Sequence, residues 1–167
     1  IVSGFGGYKR QYGTAFVIDD VAYICCGDNN GTLVDDLWKF DGSDWKQLRD
    51  IANNDSDEDY DDDYAITRAG TVSFVIDGRG YIATGTRSGV TSDYWVYDPE
   101  EDLWYGDSDD DYTPMTNVHN VSSGGSSRSY AVSFSTGKRG FVLSGSSGTS
   151  YFDDVYELLP YEQEDVD

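Results

Sequence analysis

Carboxylates are the side chains in this sequence whose number and spacing are best suited to chemistry. Seven of the nine residues in 55–63 are acidic, as are four of the five in 107–111. Aspartates at alternating positions offer the hard oxygen ligands that Ca²⁺ prefers, so both stretches are candidate calcium sites. The candidate ligands are Asp55, Asp57, Asp59, Asp107, Asp109 and Asp111.

The longer acidic stretch does not follow the EF-hand pattern. Counting from Asp55, position six is Tyr60, where that pattern has glycine, and position twelve is Ile66, where it has glutamate. Runs of like charge normally stay solvated, so the alternative is a pair of solubilising loops that hold no metal. If both loops project from one end of the fold, their negative field suits a basic partner or divalent cations.

No other set of residues has the pattern of a catalytic centre. The single histidine, His119, lies in a polar linker, and no Gly-x-Ser-x-Gly turn accompanies the many serines and aspartates. The glycine-rich piece at 145–148 lacks the lysine and the helix of a phosphate loop. The residues therefore predict a non-enzymatic chain without a cofactor, apart from the candidate Ca²⁺.

Composition excludes two classes of partner. The chain has 167 residues, with 11 basic and 32 acidic side chains and a net charge of −21, which excludes nucleic-acid binding by phosphate neutralisation. It contains no stretch of roughly 18–20 apolar residues, so we expect no membrane span. Cys25 and Cys26 are adjacent and would point to opposite faces of a strand, which predicts two buried thiols instead of a disulfide.

The elements that position these residues recur three times along the chain. Each unit opens with an arginine that is followed six residues later by a phenylalanine, in segments 10–16, 68–74 and 128–134. An apolar run then ends at a glycine, and a third block opens with an aspartate and an aromatic residue. The recurrent glycines are Gly27, Gly85 and Gly145, and the third blocks open at Asp36, Asp93 and Asp154.

Each unit has the pattern of a four-stranded antiparallel meander. The blocks are short, rich in β-branched and aromatic residues, and bounded by turn residues, such as Asp19-Asp20 and Asp77-Gly78-Arg79 between the first two strands. Such a sheet cannot bury both of its faces alone, so it must stack on neighbours of the same kind. Radial stacking of this kind predicts an all-β fold, a β-propeller with four-stranded blades.

The repeat resembles the Kelch repeat, in the bacterial form related to the central domain of galactose oxidase. The matching features are the glycine after the second strand, Asp-Leu-Trp or Asp-Tyr-Trp opening the third, and the segment Tyr97–Trp104. The double glycine typical of Kelch is single here, and the third unit has no closing tryptophan. Recurrence predicts that the tryptophans pack between blades and do not form a carbohydrate-stacking platform; they are Trp38, Trp45, Trp95 and Trp104.

The resemblance also gives the recurrent arginines two interpretations. In Kelch-like propellers their position lies near the mouth of the channel, where Arg10, Arg68 and Arg128 would bind a carboxylate ligand. Alternatively, each arginine pairs with a repeat aspartate to tie neighbouring blades, which repetition in every unit favours.

The resemblance implies a binding or scaffold module of an exported bacterial cell-surface protein. We expect an extracellular or outer-membrane-associated location, a lipid anchor upstream, and a protein partner in a cell-envelope complex. The alternative is a sugar-acting or isomerase-type propeller enzyme whose active site is completed by residues outside this chain.

The chain accounts for only part of a propeller ring. It is interpreted as one partial domain, 1–167, with units at about 8–50, 66–106 and 126–161. Acidic loops occupy 53–64 and 106–112, and an acidic tail occupies 162–167. Three blades do not close a ring, because propellers have about four to eight. We therefore expect the chain to belong to a longer protein or, alternatively, to pair with another copy of itself.

Overall fold

The computed structural model of the protein describes residues 4–52, 64–106 and 126–158. Within these ranges the chain is all-β, with strands and turns but no helix. Accordingly, no helix long and apolar enough to cross a membrane occurs in the described ranges. The strands form three larger antiparallel sheets, one for each predicted unit, and two small hairpins.

The first unit is a four-stranded sheet in the order β1-β2-β5-β6, as the repeat predicted. Its strands are β1 (Thr14–Ile18), β2 (Val21–Cys25), β5 (Trp38–Phe40) and β6 (Trp45–Gln47). A small hairpin of β3 (Asp28–Asn29) and β4 (Thr32–Leu33) lies between β2 and β5.

The second unit is also a four-stranded meander, in the order β10-β9-β8-β7. Its strands are β7 (Val72–Ile76), β8 (Arg79–Thr86), β9 (Val90–Asp98) and β10 (Leu103–Gly106). The strands β8 and β9 are longer than their counterparts in the first unit and pair directly through Gly85 and Thr86.

The third unit shows three of its predicted four strands within the described residues, in the order β11-β12-β15. These strands are β11 (Val132–Ser135), β12 (Gly140–Leu143) and β15 (Val155–Leu158). The hairpin β13 (Ser146–Ser147) and β14 (Ser150–Tyr151) corresponds to β3 and β4 of the first unit. The segment for a fourth strand lies beyond residue 158 and is outside the described ranges.

In the first two units, the turns between the first and second strands are two-residue hairpin turns, as predicted. Asp19 and Asp20 both have positive φ, 47° and 64°, and Asp77 and Gly78 have φ of 48° and 77°. Two consecutive left-handed residues define the type I′ turn, whose twist matches that of the flanking strands. The short polar linkers therefore set the register of both hairpins.

The glycine that ends each second strand is required by both backbone conformation and space. Gly27, Gly85 and Gly145 have φ of 108°, 106° and 90°. A Cβ on Gly85 would lie 3.0 Å from the carbonyl oxygen of Ala69, and one on Gly145 would lie 2.8 Å from that of Ser129. A side chain here would collide with the chain entering the first strand, which explains why glycine recurs at this point of every unit.

The three sheets stack in chain order. One face of the first sheet packs on the second unit, and its Phe16, Tyr23 and Cys25 share a core cluster with Ile82 and Trp104. The opposite face of the second sheet packs on the third unit in a separate core cluster. That cluster comprises Val72, Phe74, Ile76, Tyr81, Ala83, Tyr94, Val96, Val142 and Leu158. The middle sheet is therefore buried on both faces, as the stacking argument predicted.

A phenylalanine ring lies directly against a glycine at each junction between sheets. A Cβ on Gly80 would lie 2.3 Å from the ring of Phe16, and one on Gly140 would lie 2.4 Å from the ring of Phe74. Both glycines occupy the same position of the repeat, and so do both phenylalanines. The sheets can approach this closely because the facing strand has no side chain at that point.

Substitution of Gly80 tests this contact, with Gly89 as the matched control. Neither glycine has a positive φ, and the space around Gly89 is empty to 4 Å. We expect Gly80→Ala to lower the free energy of unfolding by about 1–3 kcal/mol through overpacking, and Gly89→Ala to change it by less than about 0.5 kcal/mol. Urea unfolding measures both. Equal effects of the two substitutions would contradict close packing of Phe16 on Gly80.

Candidate functional site

Each recurrent arginine is bonded to the recurrent aspartate of its own unit. Arg68 donates from Nη1 to Asp93 Oδ1 at 2.9 Å and from Nη2 to Asp93 Oδ2 at 2.7 Å. Arg128 makes the same two-pronged contact with Asp154, and Arg10 Nη2 donates to Asp36 Oδ1. The arginine–aspartate pairing that the sequence suggested as a structural role is therefore present in all three units.

The buried guanidinium of Arg68 has an acceptor for every one of its five N–H donors. Its Nε and both Nη atoms donate to the backbone oxygens of Ala65, Ile66 and Thr84 and to both carboxylate oxygens of Asp93. The side chains of Arg68 and Arg128 are both fully buried. A carboxylate ligand would have to displace Asp93 or a backbone carbonyl to reach Arg68. Ligand binding by Arg10, Arg68 and Arg128 stays a prediction.

The arginine links neighbouring units through its backbone carbonyl oxygen, not through its ion pair. Gly27 N donates to Arg68 O at 2.7 Å, and Gly85 N donates to Arg128 O at 2.8 Å. The predicted tie between neighbours was therefore wrong for the side chains, because each carboxylate pairs within its own sheet. The side chain anchors the arginine, and its carbonyl then meets the glycine of the preceding unit.

The repeat aspartate also binds the aromatic residue two positions later. Trp38 Nε1 donates to Asp36 Oδ2 at 2.8 Å, and Trp95 Nε1 donates to Asp93 Oδ2 at 3.2 Å. Burial alone would raise the pKa of Asp93, but the hydrogen bonds and charge of Arg68 outweigh it and lower that pKa. The Asp-x-Trp motif is thus a connector between the arginine and the indole of one unit.

The tryptophans occupy two different environments. Trp104 is buried in the core between the first two units, and Trp95 packs against the same core, as predicted for inter-unit packing. Trp38 and Trp45 lie in the first sheet and contact Phe5, with ring centroids 5.5 Å and 4.8 Å apart. Contact of Trp38 and Trp45 with a further unit stays a prediction.

The candidate calcium ligands, Asp55, Asp57, Asp59, Asp107, Asp109 and Asp111, lie outside the described residues, as does His119. Among the residues that the structure does describe, no group of three or more His, Cys, Asp or Glu side chains could hold a metal ion. Calcium binding stays a prediction. Cys25 and Cys26 are buried and unpaired by a disulfide, as the sequence indicated.

The first strands of the three units lie side by side and are joined by hydroxyl groups. Ser73 Oγ donates to Ala15 O at 2.8 Å, and Ser133 Oγ donates to Ser73 O at 2.7 Å. These residues share one repeat position, so each serine reaches back to the same position of the preceding unit. Thr14 adds a hydroxyl contact to Ser73 at 2.7 Å.

An exposed pair of tyrosines lies where these first strands begin. Tyr12 and Tyr130 occupy the same position of the first and third units, and Gly70 occupies it in the second. Their backbones are linked in series, from Gly70 N to Tyr12 O and from Tyr130 N to Gly70 O. The two rings meet edge to face beside Gly70, with centroids 5.3 Å apart, and the two residues are 52% and 57% exposed.

Both tyrosines hold a backbone conformation that favours glycine. The φ angles are 57° for Tyr12, 65° for Gly70 and 55° for Tyr130. A left-handed conformation costs a residue with a Cβ about 1–2 kcal/mol, and the second unit avoids this cost. Sequence reasoning missed this pair, although alternation of tyrosine and glycine at one repeat position was a visible signal.

Neither a scan against models of known protein families nor a search of curated proteins finds a match to this chain.

Two adjacent aspartates provide a matched test of the Arg128–Asp154 ion pair, in which the arginine is fully buried and the aspartate side chain is 33% exposed. Asp154 binds Arg128, whereas Asp153 is exposed. We expect Asp154→Asn to lower the free energy of unfolding by about 2–3 kcal/mol at pH 7, because the buried guanidinium loses its counter-charge. Asp153→Asn should change it by less than about 0.5 kcal/mol. Similar values for both variants in urea unfolding would contradict the structural role of the pair.

The effect of Asp154→Asn on the free energy of unfolding should depend on pH. The hydrogen bonds and charge of Arg128 lower the pKa of Asp154. Its contribution is therefore complete above the ordinary aspartate pKa of about 3.9 and is lost as the pH falls through the lowered native value. The stability difference between the wild type and Asp154→Asn should shrink below about pH 4, as followed by urea unfolding between pH 7 and pH 2.5. A difference that stays constant over this range would contradict the pairing.

Proposed function

We propose that this chain is part of a Kelch-type β-propeller and acts as a non-catalytic binding module. Three antiparallel sheets stack in chain order, and β7 lies between β1 and β11. Blades around an axis have this arrangement, with the first strand of each blade next to the first strands of its neighbours. The Arg–Asp–Trp network supports a role for the recurrent polar residues in holding each blade together.

The observation that carries the binding role is the Tyr12–Tyr130 surface, defined as these two side chains and the Gly70 backbone between them. Both rings are more than half exposed although their backbones occupy an unfavourable conformation. Gly70 meets the same backbone requirement without that cost, so the fold does not need tyrosine here. Strain retained at an exposed site indicates selection for what the side chains contact.

A protein partner suits this surface better than a small charged ligand. Tyrosine rings provide a large contact area, and their hydroxyls accept and donate hydrogen bonds, which is why tyrosine is enriched at protein interfaces. The chain carries a net charge of −21, so its field attracts basic surfaces. We therefore propose a protein partner that contacts the rings with apolar groups and surrounds them with lysine or arginine.

The proposed setting follows from the Kelch resemblance. It supports an exported bacterial protein at the cell surface or outer membrane, held by a lipid anchor upstream and joined to a cell-envelope complex. The partner would then be another envelope protein, and the module would serve as a scaffold instead of an enzyme.

The double variant Tyr12→Gly/Tyr130→Gly tests the binding role. Relief of the left-handed strain, about 1–2 kcal/mol at each site, offsets the lost ring contact and the greater chain entropy of glycine. We therefore expect thermal stability close to that of the wild type, together with loss of the partner. The measurement is quantitative cross-linking and mass spectrometry of proteins captured from an envelope extract of the source bacterium.

Val17→Ser is the control, because Val17 is as exposed as Tyr130 but lies near the other end of β1. It should capture the same protein as the wild type, with capture falling as salt is raised to about 0.5 M. Equal capture by the double variant would exclude the tyrosine surface as the binding site. Turnover of a glycan or sugar-acid panel by the wild type would overturn the non-catalytic role.

A further inference from the structure

The third unit presents an aromatic pair that the other two units bury. Phe134 and Phe141 stack with ring centroids 4.7 Å apart and planes 19° apart. The equivalent pairs are Phe16 with Tyr23, at 5.3 Å and 10°, and Phe74 with Tyr81, at 5.6 Å and 6°. All three pairs join the first and second strands of their units in the same register.

Exposure distinguishes the third pair from the other two. Phe16 and Phe74 are each only 5% exposed because the following sheet covers them, whereas Phe134 is 50% exposed. Val132 and Val155 lie on the same face of the third sheet and are similarly exposed. These four residues, Val132, Phe134, Phe141 and Val155, define the third-unit face, which continues the apolar stacking that the chain builds twice. Glu157, paired with Arg139, lies beside Phe141 on the same side of the sheet.

The two buried junctions show what covers such a face. The covering strand places a glycine against the phenylalanine, Gly80 in one junction and Gly140 in the other. The covering unit also donates a serine hydroxyl to the backbone of the unit it covers, from Ser73 to Ala15 O and from Ser133 to Ser73 O. A covering unit therefore needs glycine at the repeat position of Gly80 and Gly140, and serine at the repeat position of Ser73 and Ser133.

We infer that the third-unit face is a docking surface for a further four-stranded unit of the same repeat. That unit presents a glycine to the ring of Phe134 and a serine hydroxyl to the carbonyl oxygen of Ser133. The docked unit would repeat an interface that is already formed twice in the chain. The occupant is therefore identified by three features: a four-stranded sheet, the glycine and the serine.

The first unit of a second copy does not meet these requirements. Ala22 stands at the position of Gly80 and Gly140, where a Cβ would lie 2.3–2.4 Å from the facing ring in the two junctions seen. Ala15 stands at the position of Ser73 and Ser133 and has no hydroxyl to donate. The first unit thus lacks both features of a covering unit, which argues against head-to-tail pairing of two copies.

This comparison provides a gain-of-function experiment on the full chain. Ala15→Ser with Ala22→Gly gives the first unit both residues of a covering unit. In sedimentation velocity at about 50 μM, we expect the wild type to remain a monomer of 18.5 kDa and the double variant to associate head to tail. Its mass should at least double, because the engineered face of one copy then covers the third-unit face of the next.

Phe134→Asp is the specificity control. Phe134 is half exposed, so the substitution leaves the fold intact by circular dichroism, and in the double-variant background it should restore the monomer. A folded double variant that stays monomeric would overturn the inference. So would a wild type that dimerises in a Phe134-dependent way, because a second copy would then occupy the face. Association that persists with Phe134→Asp would also overturn it.

The inference rests on the repeat packing of the proposed propeller and not on the tyrosine surface. The substituted residues differ from Tyr12 and Tyr130, and the readout is self-association instead of partner capture. The two experiments can therefore disprove docking at the third-unit face and partner binding at the Tyr12–Tyr130 surface independently of each other.

Discussion

The arginine that opens each unit is the constraint on which the rest of the architecture depends, and two of the three, Arg68 and Arg128, are fully buried. A guanidinium removed from water is tolerated only if its donors and its charge are matched, and Arg68 achieves this with three carbonyl oxygens and one carboxylate. These acceptors come from the segment before β7, the end of β8 and the start of the Asp-x-Trp block in β9. One side chain therefore fixes three parts of a sheet, and its backbone carbonyl bonds the glycine of the preceding unit.

The sheets stack closely because the backbone of each recurrent arginine, held in place by its side chain, allows the neighbouring unit to approach. The left-handed glycines Gly27 and Gly85 bring their N–H groups to the arginine carbonyls, and the facing Phe–Gly contacts fill the space between the sheets. Polar anchoring and apolar packing thus act at two ends of the same junction. The polar anchor sets the position of each unit, and the buried aromatic area supplies the larger part of the stabilisation.

Much of this was predictable from the sequence because the repeat supplied three observations of each position. The four-stranded meanders of the first two units, the hairpin turns at Asp19-Asp20 and Asp77-Gly78, the packing of the sheets on one another and the buried cysteines are confirmed. The direction of the arginine pairing was not predictable, since separations of 25 or 26 residues to an aspartate do not indicate whether a contact lies within a sheet or between sheets. The exposed tyrosines were missed because a positive φ is seen only in the folded backbone. Residues with an aromatic side chain rarely adopt it, so their sequence does not indicate it.

The contrast between repeated and divergent positions separates structural from binding roles. The arginine and the glycine after the second strand keep one residue type in every unit, and both make contacts within the fold. Positions that change between units are those where the fold accepts alternatives. Tyr12 and Tyr130 replace the residue that Gly70 shows to be sufficient, and Ala22 replaces a glycine that the junctions need. The first change adds an exposed surface, and the second removes a docking contact. The recurrent arginines Arg68 and Arg128 are fully engaged within their own units, so the proposed tyrosine surface depends on a departure from the repeat.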